Sequence, residues 1–208
     1  MTEKSSQERD YLPGMGKHYL LPLYDVVHKV SGLGRVHAEM VAAAGLRDGH
    51  RVLDVGCGTG NLLRATGQRH PGVELTGVDP DLKMLARAER KLRRAGLRAR
   101  LDRGFAQELT FPDGSFDRVF SSLMLHHLDT SSKDEMLAEV RRVLRPDGLL
   151  VLADAVLHGH SHGHEHLRDN VGDAVAQRIA AAGFTVEPTR TRKLRAFGVV
   201  GIEVARVH

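Results

Sequence analysis

The residues of this 208-residue chain best suited to chemistry begin with three glycines. Gly56, Gly58 and Gly60 alternate with Cys57 and Thr59 directly after the run Val52-Leu53-Asp54-Val55. Glycines allow a tight turn, positive φ and close approach of a ligand to the backbone. The dinucleotide fingerprint Gly-x-Gly-x-x-Gly would need glycine at 61, where Asn stands, and the chain has no Gly-x-x-x-x-Gly-Lys-Ser/Thr P-loop. Asp79 closes a second apolar run, 25 residues beyond Asp54. A carboxylate there can accept both hydroxyls of a ribose. A loop without a phosphate pattern, beside an acid, suits a cationic, nucleoside-bearing ligand better than a pyrophosphate. His126 and His127 follow a later apolar run. Imidazole titrates near neutrality, so either can serve as a general base; packing, or positioning of a ligand, is the competing role.

His158, His160, His162, His164 and His166 recur at every second residue. In a strand, that alternation would put all five rings on one face. Imidazoles so dense can bind zinc, nickel or copper. The interleaved glycines and the lack of a rigid frame favour a solvated loop, with a substrate wall and a metal site as the other two readings. Three readings of the tract therefore stay open, with His160, His162, His164 and His166 as the candidate ligands of a divalent metal.

The elements that must position these groups alternate. From His18 to Gly45 apolar residues recur at helical spacing, with Gly32 and Gly34 breaking the segment into two helices. Arg51 to Gly56 reads as a buried strand, followed by a helix over 61–69. Val73 to Val78 is a second strand, and Asp81 caps a helix with Leu82, Leu85, Ala88 and Leu92 on one face. Strands follow at 98–104 and 116–121. Ser132 and Glu135 have capping-box spacing and open the next helix. A turn at Pro146-Asp147-Gly148 leads to a strand at 149–152, a helix near 171–182, and strands at 185–190 and 199–207 that could pair as a hairpin. Alternating strands and helices predict a mostly parallel sheet with helices on both faces. Its ligand belongs beyond the strands' carboxyl ends, at a topological switch point.

The chain length fits one domain. Hydrophobic residues at 41% and charged residues at 27% are globular values that exclude wholesale disorder. Net charge is +4, with no Trp, three Tyr and six Phe, which leaves little for a base-stacking platform. The basic cluster Arg87, Arg90, Lys91, Arg93, Arg94, Arg98, Arg100 and Arg103 reads as a solvated face. Nucleic acid is not the expected partner. The single cysteine, Cys57, makes no internal disulfide, the N-terminus carries charges where a secretion signal is apolar, and no run of 18 apolar residues spans a membrane. A cytoplasmic location is the expectation. The oligomeric state is not legible.

Several motifs in register carry a family resemblance. Val52 to Gly60 resembles the first motif of class I S-adenosylmethionine-dependent methyltransferases, and Gly77-Val78-Asp79-Pro80 with Met84-Leu85 resembles the second. Phe111-Pro112-Asp113-Gly114-Ser115-Phe116-Asp117 is similar to the approach to the fourth strand, Leu125-His126-His127-Leu128 to the segment after it, and Arg142 to Gly148 to the turn into the fifth. The match covers about residues 49 to 155, and the nearest subgroup resembles the ubiquinone/menaquinone-biosynthesis methyltransferases of type 11. The segment Ser121-Ser122-Leu123-Met124 lacks the Asn/Asp-Pro-Pro-Tyr/Phe of amino-methylating DNA enzymes and the Pro-Cys of cytosine-C5 enzymes.

The resemblance implies a Rossmann-like α/β fold with a seven-stranded, mostly parallel sheet and a C-terminal antiparallel hairpin. It implies an N-terminal helical lid over 1–48 and a methyltransferase core over 49–208. S-adenosylmethionine is the implied cofactor, S-adenosylhomocysteine the product, and a small molecule the methyl acceptor. Gly56, Gly58 and Gly60 would approach the methionine end, with Asp54 fixing the loop or reaching the ammonium through water. Asp79 would hold the ribose; Pro80 and Met84 would line the adenine. Phe105 stands where many family members have an acid, so ring packing by Phe105 and the Ala106 N–H would replace that polar contact. Ser121 and Leu123 would line the methionine moiety, and Tyr24 would reach over from the lid. Catalysis would rest mainly on proximity, with His126 or His127 as base. The alternatives are a protein that binds the cofactor without methyl transfer, and a metal-binding protein built on the His158–His166 tract.

Overall fold

A computed structural model describes residues 32–156, 173–194 and 198–207. The expected lid residues before 32, Tyr24 among them, and the whole histidine tract lie outside the described residues.

The elements are α1 (Leu33–Ala43), β1 (Arg51–Val55), α2 (Asn61–Arg69), β2 (Glu74–Asp79), α3 (Leu82–Arg94), β3 (Arg100–Arg103), β4 (Phe116–Ser122), a 3-10 turn (Leu125–His127), α4 (Thr130–Val143), β5 (Leu144–Val156), α5 (Ala174–Ala181), β6 (Phe184–Val186), β7 (Arg190–Leu194) and β8 (Gly198–Val207). They form one sheet in the order β3-β2-β1-β4-β5-β8-β6, with β7 also on β8. Strands β1 to β5 are mutually parallel, and β8 runs antiparallel to β5, β6 and β7. The mostly parallel α/β sheet with antiparallel C-terminal strands is as the sequence implied.

Three local details differ. The described sheet has eight strands, because the stretch expected as one strand over 185–190 divides into β6 and β7 on either side of Pro188. Proline has no N–H for the ladder, so pairing stops there and resumes after it. Gly34 lies inside α1 rather than ending a helix; Gly32, at φ 86°, is the cap. Helix α4 starts at Asp129, whose carboxylate accepts from the Ser132 N–H, three residues before the expected capping box. A carboxylate facing the helix's positive end outcompetes the serine hydroxyl.

Each sheet face is covered by its own helices. Leu33, Val36 and Met40 of α1, Leu62 and Leu63 of α2, and Leu85 and Leu92 of α3 pack with Val52, Phe120 and Val151. Met136, Leu137 and Val140 of α4 and Val175 and Ile179 of α5 pack on the other face with Leu53, Val119 and Leu150. Successive strand residues thus bury into opposite layers, which is why these strands read as continuous apolar runs. α1, the end of the expected lid, is part of this core.

Candidate functional site

The strand order reverses between β1 and β4, where ligands of such sheets bind. The glycine loop leaves β1 at that point. Gly56 N–H and Cys57 N–H both donate to Val78 O, which folds the loop back over β2. Gly56 has φ 72°, and a Cβ there would run into the Met124 side chain. Gly60 has φ 71° and caps α2, and a Cβ there would lie 3.0 Å from Cβ of Ala88 on α3. Side chains at both positions would be strained and crowded.

Asp79 sits at the end of β2 with one oxygen accepting from Gly58 N–H and the other from Asp81 N–H, both at 2.9 Å. Burial pushes its carboxyl up, against the pull of those two N–H groups. Asp54 is 2% exposed and no hydrogen bond reaches its carboxyl among the described residues. Burial pushes it well above the usual carboxylate range, and the neighbouring Asp79 adds to the shift. Gly77, opposite Asp54 on β2, leaves room for Cys57 Sγ and Leu63 where a side chain would stand.

A cleft at this end of the sheet is walled by Asp54, Gly56, Gly58, Thr59, Leu123 and, from α1, His37. Ser122 also lines it and hydrogen-bonds His37 Nε2 at 3.0 Å. Ser121 points the other way and is buried, its Oγ without a hydrogen-bond partner among the described residues. Leu123 takes φ 53° as the chain turns out of β4. Met84 is buried in the first turn of α3, and the Pro80 carbonyl accepts from Arg103 Nε at 3.3 Å. Phe105 is half-buried and bridges to Glu108, while Ala106 belongs to the core.

His126 and His127 occupy the 3-10 turn, with ring centroids 4.1 Å apart. His126 is held at two points by Asp154 of β5. Its Nδ1 donates to Oδ1 at 2.6 Å, and its backbone N–H donates to Oδ2 at 3.2 Å. Asp154 is 2% exposed. The fixed Nδ1 leaves Nε2 as the ring's other proton-handling atom. Near Asp154 on β8, the buried Glu203 accepts from Thr189 Oγ1 at 2.8 Å, and burial raises its carboxyl.

Sequence reasoning did not single out His37, Ser122, Asp154 or Glu203. Asp154 had a signal: an acid interrupting the apolar run Val151-Leu152-Ala153-Asp154-Ala155-Val156, as Asp54 interrupts the first strand. His37 had none, since its place depends on how α1 packs across the sheet.

The residues present fit S-adenosylmethionine. An unpartnered buried carboxyl beside the loop suits a cation, and Asp79 keeps lone pairs for hydroxyl donors after accepting two N–H groups. Among the described residues no group of three or more His, Cys, Asp or Glu could hold a metal, and no helix is long and apolar enough to cross a membrane.

Comparison with known proteins agrees with this geometry. Residues 52–148 match the family model described as a methyltransferase domain. The chain is 34% identical over 138 residues to a demethylmenaquinone methyltransferase of Thermus thermophilus, covering 65% of this chain and 62% of that protein. It is 38% identical over 141 residues to a ubiquinone/menaquinone biosynthesis C-methyltransferase of Bordetella avium, covering 66% and 54%. The matched part thus spans little more than half the length of these relatives. Among solved structures, an S-adenosylmethionine-dependent methyltransferase from Aquifex aeolicus superposes with a TM-score of 0.69 at 22% identity, covering 91% of this chain and 97% of that one. The [4+2]-cyclase SpnF gives 0.74 at 22% identity, covering 84% and 80%, so the same fold also hosts different chemistry. Residues 52–148 thus match a methyltransferase domain, and around them the chain is similar to proteins named as methyltransferases.

Proposed function

We propose that this chain transfers a methyl group from S-adenosylmethionine to a small-molecule acceptor in the cytoplasm. The names of its relatives suggest a demethylated quinone or quinol ring. The observation that carries the reading is Asp54, a buried carboxyl with no described hydrogen-bond partner beside a glycine loop that Asp79 holds in place.

S-adenosylmethionine, when bound, supplies a methyl already activated on a sulfonium. The protein's work is then mostly orientation. Asp54 balances the ligand's positive charge, directly or through water, and ionises as it does so. Asp79 accepts the ribose hydroxyls. Met84, Pro80 and Phe105 flank the adenine, with Ala106 behind them. Gly56, Gly58 and Gly60 keep side chains out of the methionine path, Leu123 and Tyr24 complete the enclosure, and Ser121, buried on the opposite face of β4, stays out of it. Residues 1–48 form the lid, with α1 anchored in the core and its Leu33 and His37 on the cleft wall. The core is residues 49–208.

His126 takes the acceptor's proton on Nε2. Asp154 fixes the ring and stabilises the imidazolium that forms, and His127 packs beside it. A divalent metal at the His158–His166 tract remains a separate proposal, tested by repeating the titration below with zinc or nickel on metal-stripped protein.

Calorimetric titration with S-adenosylmethionine and S-adenosylhomocysteine, with NAD as control, tests the cofactor. Micromolar binding of both sulfur ligands, weakened by Asp54→Asn more for the sulfonium than for the neutral thioether, supports the reading. Binding of neither ligand, or of NAD alone, refutes it. Incubation with radiolabelled donor and reduced quinones then tests transfer.

A further inference from the structure

A second cleft lies on the outer side of the helix layer, between α2 and α3. Its volume is ≈ 500 Å³, and it is lined by Arg64, Gln68, Arg87, Arg90, Lys91 and Arg94 together with Ala95. The spacing explains the convergence: 87, 90, 91 and 94 form one stripe of α3, and 64 and 68 one edge of α2. No acidic residue lines it.

Several arginines elsewhere in the protein have carboxylate partners. Arg142 pairs with Glu139 and Asp113, Arg145 with Asp117, Arg178 with Asp134, and Arg192 with Glu39. Even Arg93, on the other side of α3, lies 3.7 Å from Glu89. Arg64, Arg87, Arg90 and Arg94 have no ion pair or hydrogen bond among the described residues, and Arg64 Nε is buried without a partner. Lys91 is already committed, its Nζ donating to Thr59 Oγ1 at 2.8 Å and to Asn61 Oδ1 at 2.6 Å at the start of α2. Like charges at helical i, i+3 and i+4 spacing repel, and a buried guanidinium nitrogen without an acceptor is costly. An anion would relieve both.

We infer that this cleft is a binding site for a small ligand bearing two or more linked phosphates. Guanidinium forks match phosphate oxygens two at a time. The volume is that of a small-molecule pocket. No aromatic residue lines it, so it offers phosphate contacts and no platform for a base.

The test is calorimetric titration of the full chain with inorganic tripolyphosphate in a low-salt acetate buffer. The expected result is saturable one-site binding that weakens as salt rises. Arg87→Gln with Arg94→Gln should weaken it at least about tenfold, the loss of roughly one charge-assisted contact. Arg69→Gln with Arg98→Gln removes the same charge from exposed positions outside the cleft and should leave binding within about twofold, as screened distant charges allow. Thermal melts of both pairs confirm folding. No saturable binding overturns the proposal, and so does equal weakening by both pairs, which would indicate a diffuse field. Binding of a single-stranded oligonucleotide but not of tripolyphosphate, with the same sensitivity to Arg87 and Arg94, overturns it in favour of a nucleic-acid surface.

Discussion

Replacing Asp79 with Asn separates a brace for the glycine loop from a ligand-binding group. The wild-type carboxylate accepts two backbone N–H groups at 2.9 Å. Hydrogen bonds to a charged group are each worth about 1.5–3 kcal/mol net. Asparagine keeps one oxygen and turns an NH₂ towards the other donor, so one such bond is lost. Burial already raises the Asp79 carboxyl, so the neutral amide avoids a desolvation cost that the carboxylate bears. The two effects oppose, and the net stability loss should be about 1 kcal/mol. Ligand binding has no such offset. Two ribose hydroxyls need acceptors and the amide supplies one, so S-adenosylhomocysteine should bind weaker by about 1.5–3 kcal/mol, or roughly 10- to 150-fold. Urea unfolding reads the first quantity and calorimetry the second. Because the folded carboxyl titrates high, wild-type affinity should fall as pH is lowered and Asp79 takes a proton; the Asn variant should lose part of that fall. A variant with lowered stability and unchanged affinity would refute the ribose assignment and leave Asp79 a loop brace alone.

Other perturbations have equally definite signs. Gly60→Ala combines a φ of 71° with a Cβ 3.0 Å from Ala88, and should cost about 1–3 kcal/mol in urea unfolding. Glu203→Gln should stabilise the protein at neutral pH. Its folded carboxyl is raised, so the native state holds the proton more tightly and the stability that proton brings fades as pH rises; the variant's advantage should disappear on acidification, by thermal melts across pH. Asp154→Asn should leave donor binding within about twofold, since it removes a partner of His126 and no ligand contact, yet lower turnover at least about tenfold and shift the pH–rate profile. An unchanged profile would make Asp154 structural only. Arg142→Ala strips hydrogen bonds from the Leu109 and Phe111 carbonyls and takes the ion-pair partner from Glu139, which keeps the Leu109 N–H, and should cost about 2 kcal/mol of stability by chemical denaturation.

The sequence alone determined the framework because its signals are local. Apolar runs ending in glycine or aspartate, helices with Asp81 at a cap, and five motifs in order are each written within a few residues, and together they specify a mostly parallel sheet and point to the loop after β1 as the ligand site. What depended on distant parts was not legible. His37 and Ser122 are 85 positions apart and meet only because α1 packs beside β4. The His126–Asp154 pair needs β5 to lie against β4, since 28 residues separate its partners. The stretch 185–190 read as one strand through Pro188; pairing with β8 on both sides of that proline divides it in two. The arginines of α3 read as a solvated face; Arg64 arriving from α2, with Lys91 drawn away to Thr59, turned that face into a cleft of unpaired charge. Local chemistry sets what each element is, and long-range packing sets which side chains share a site.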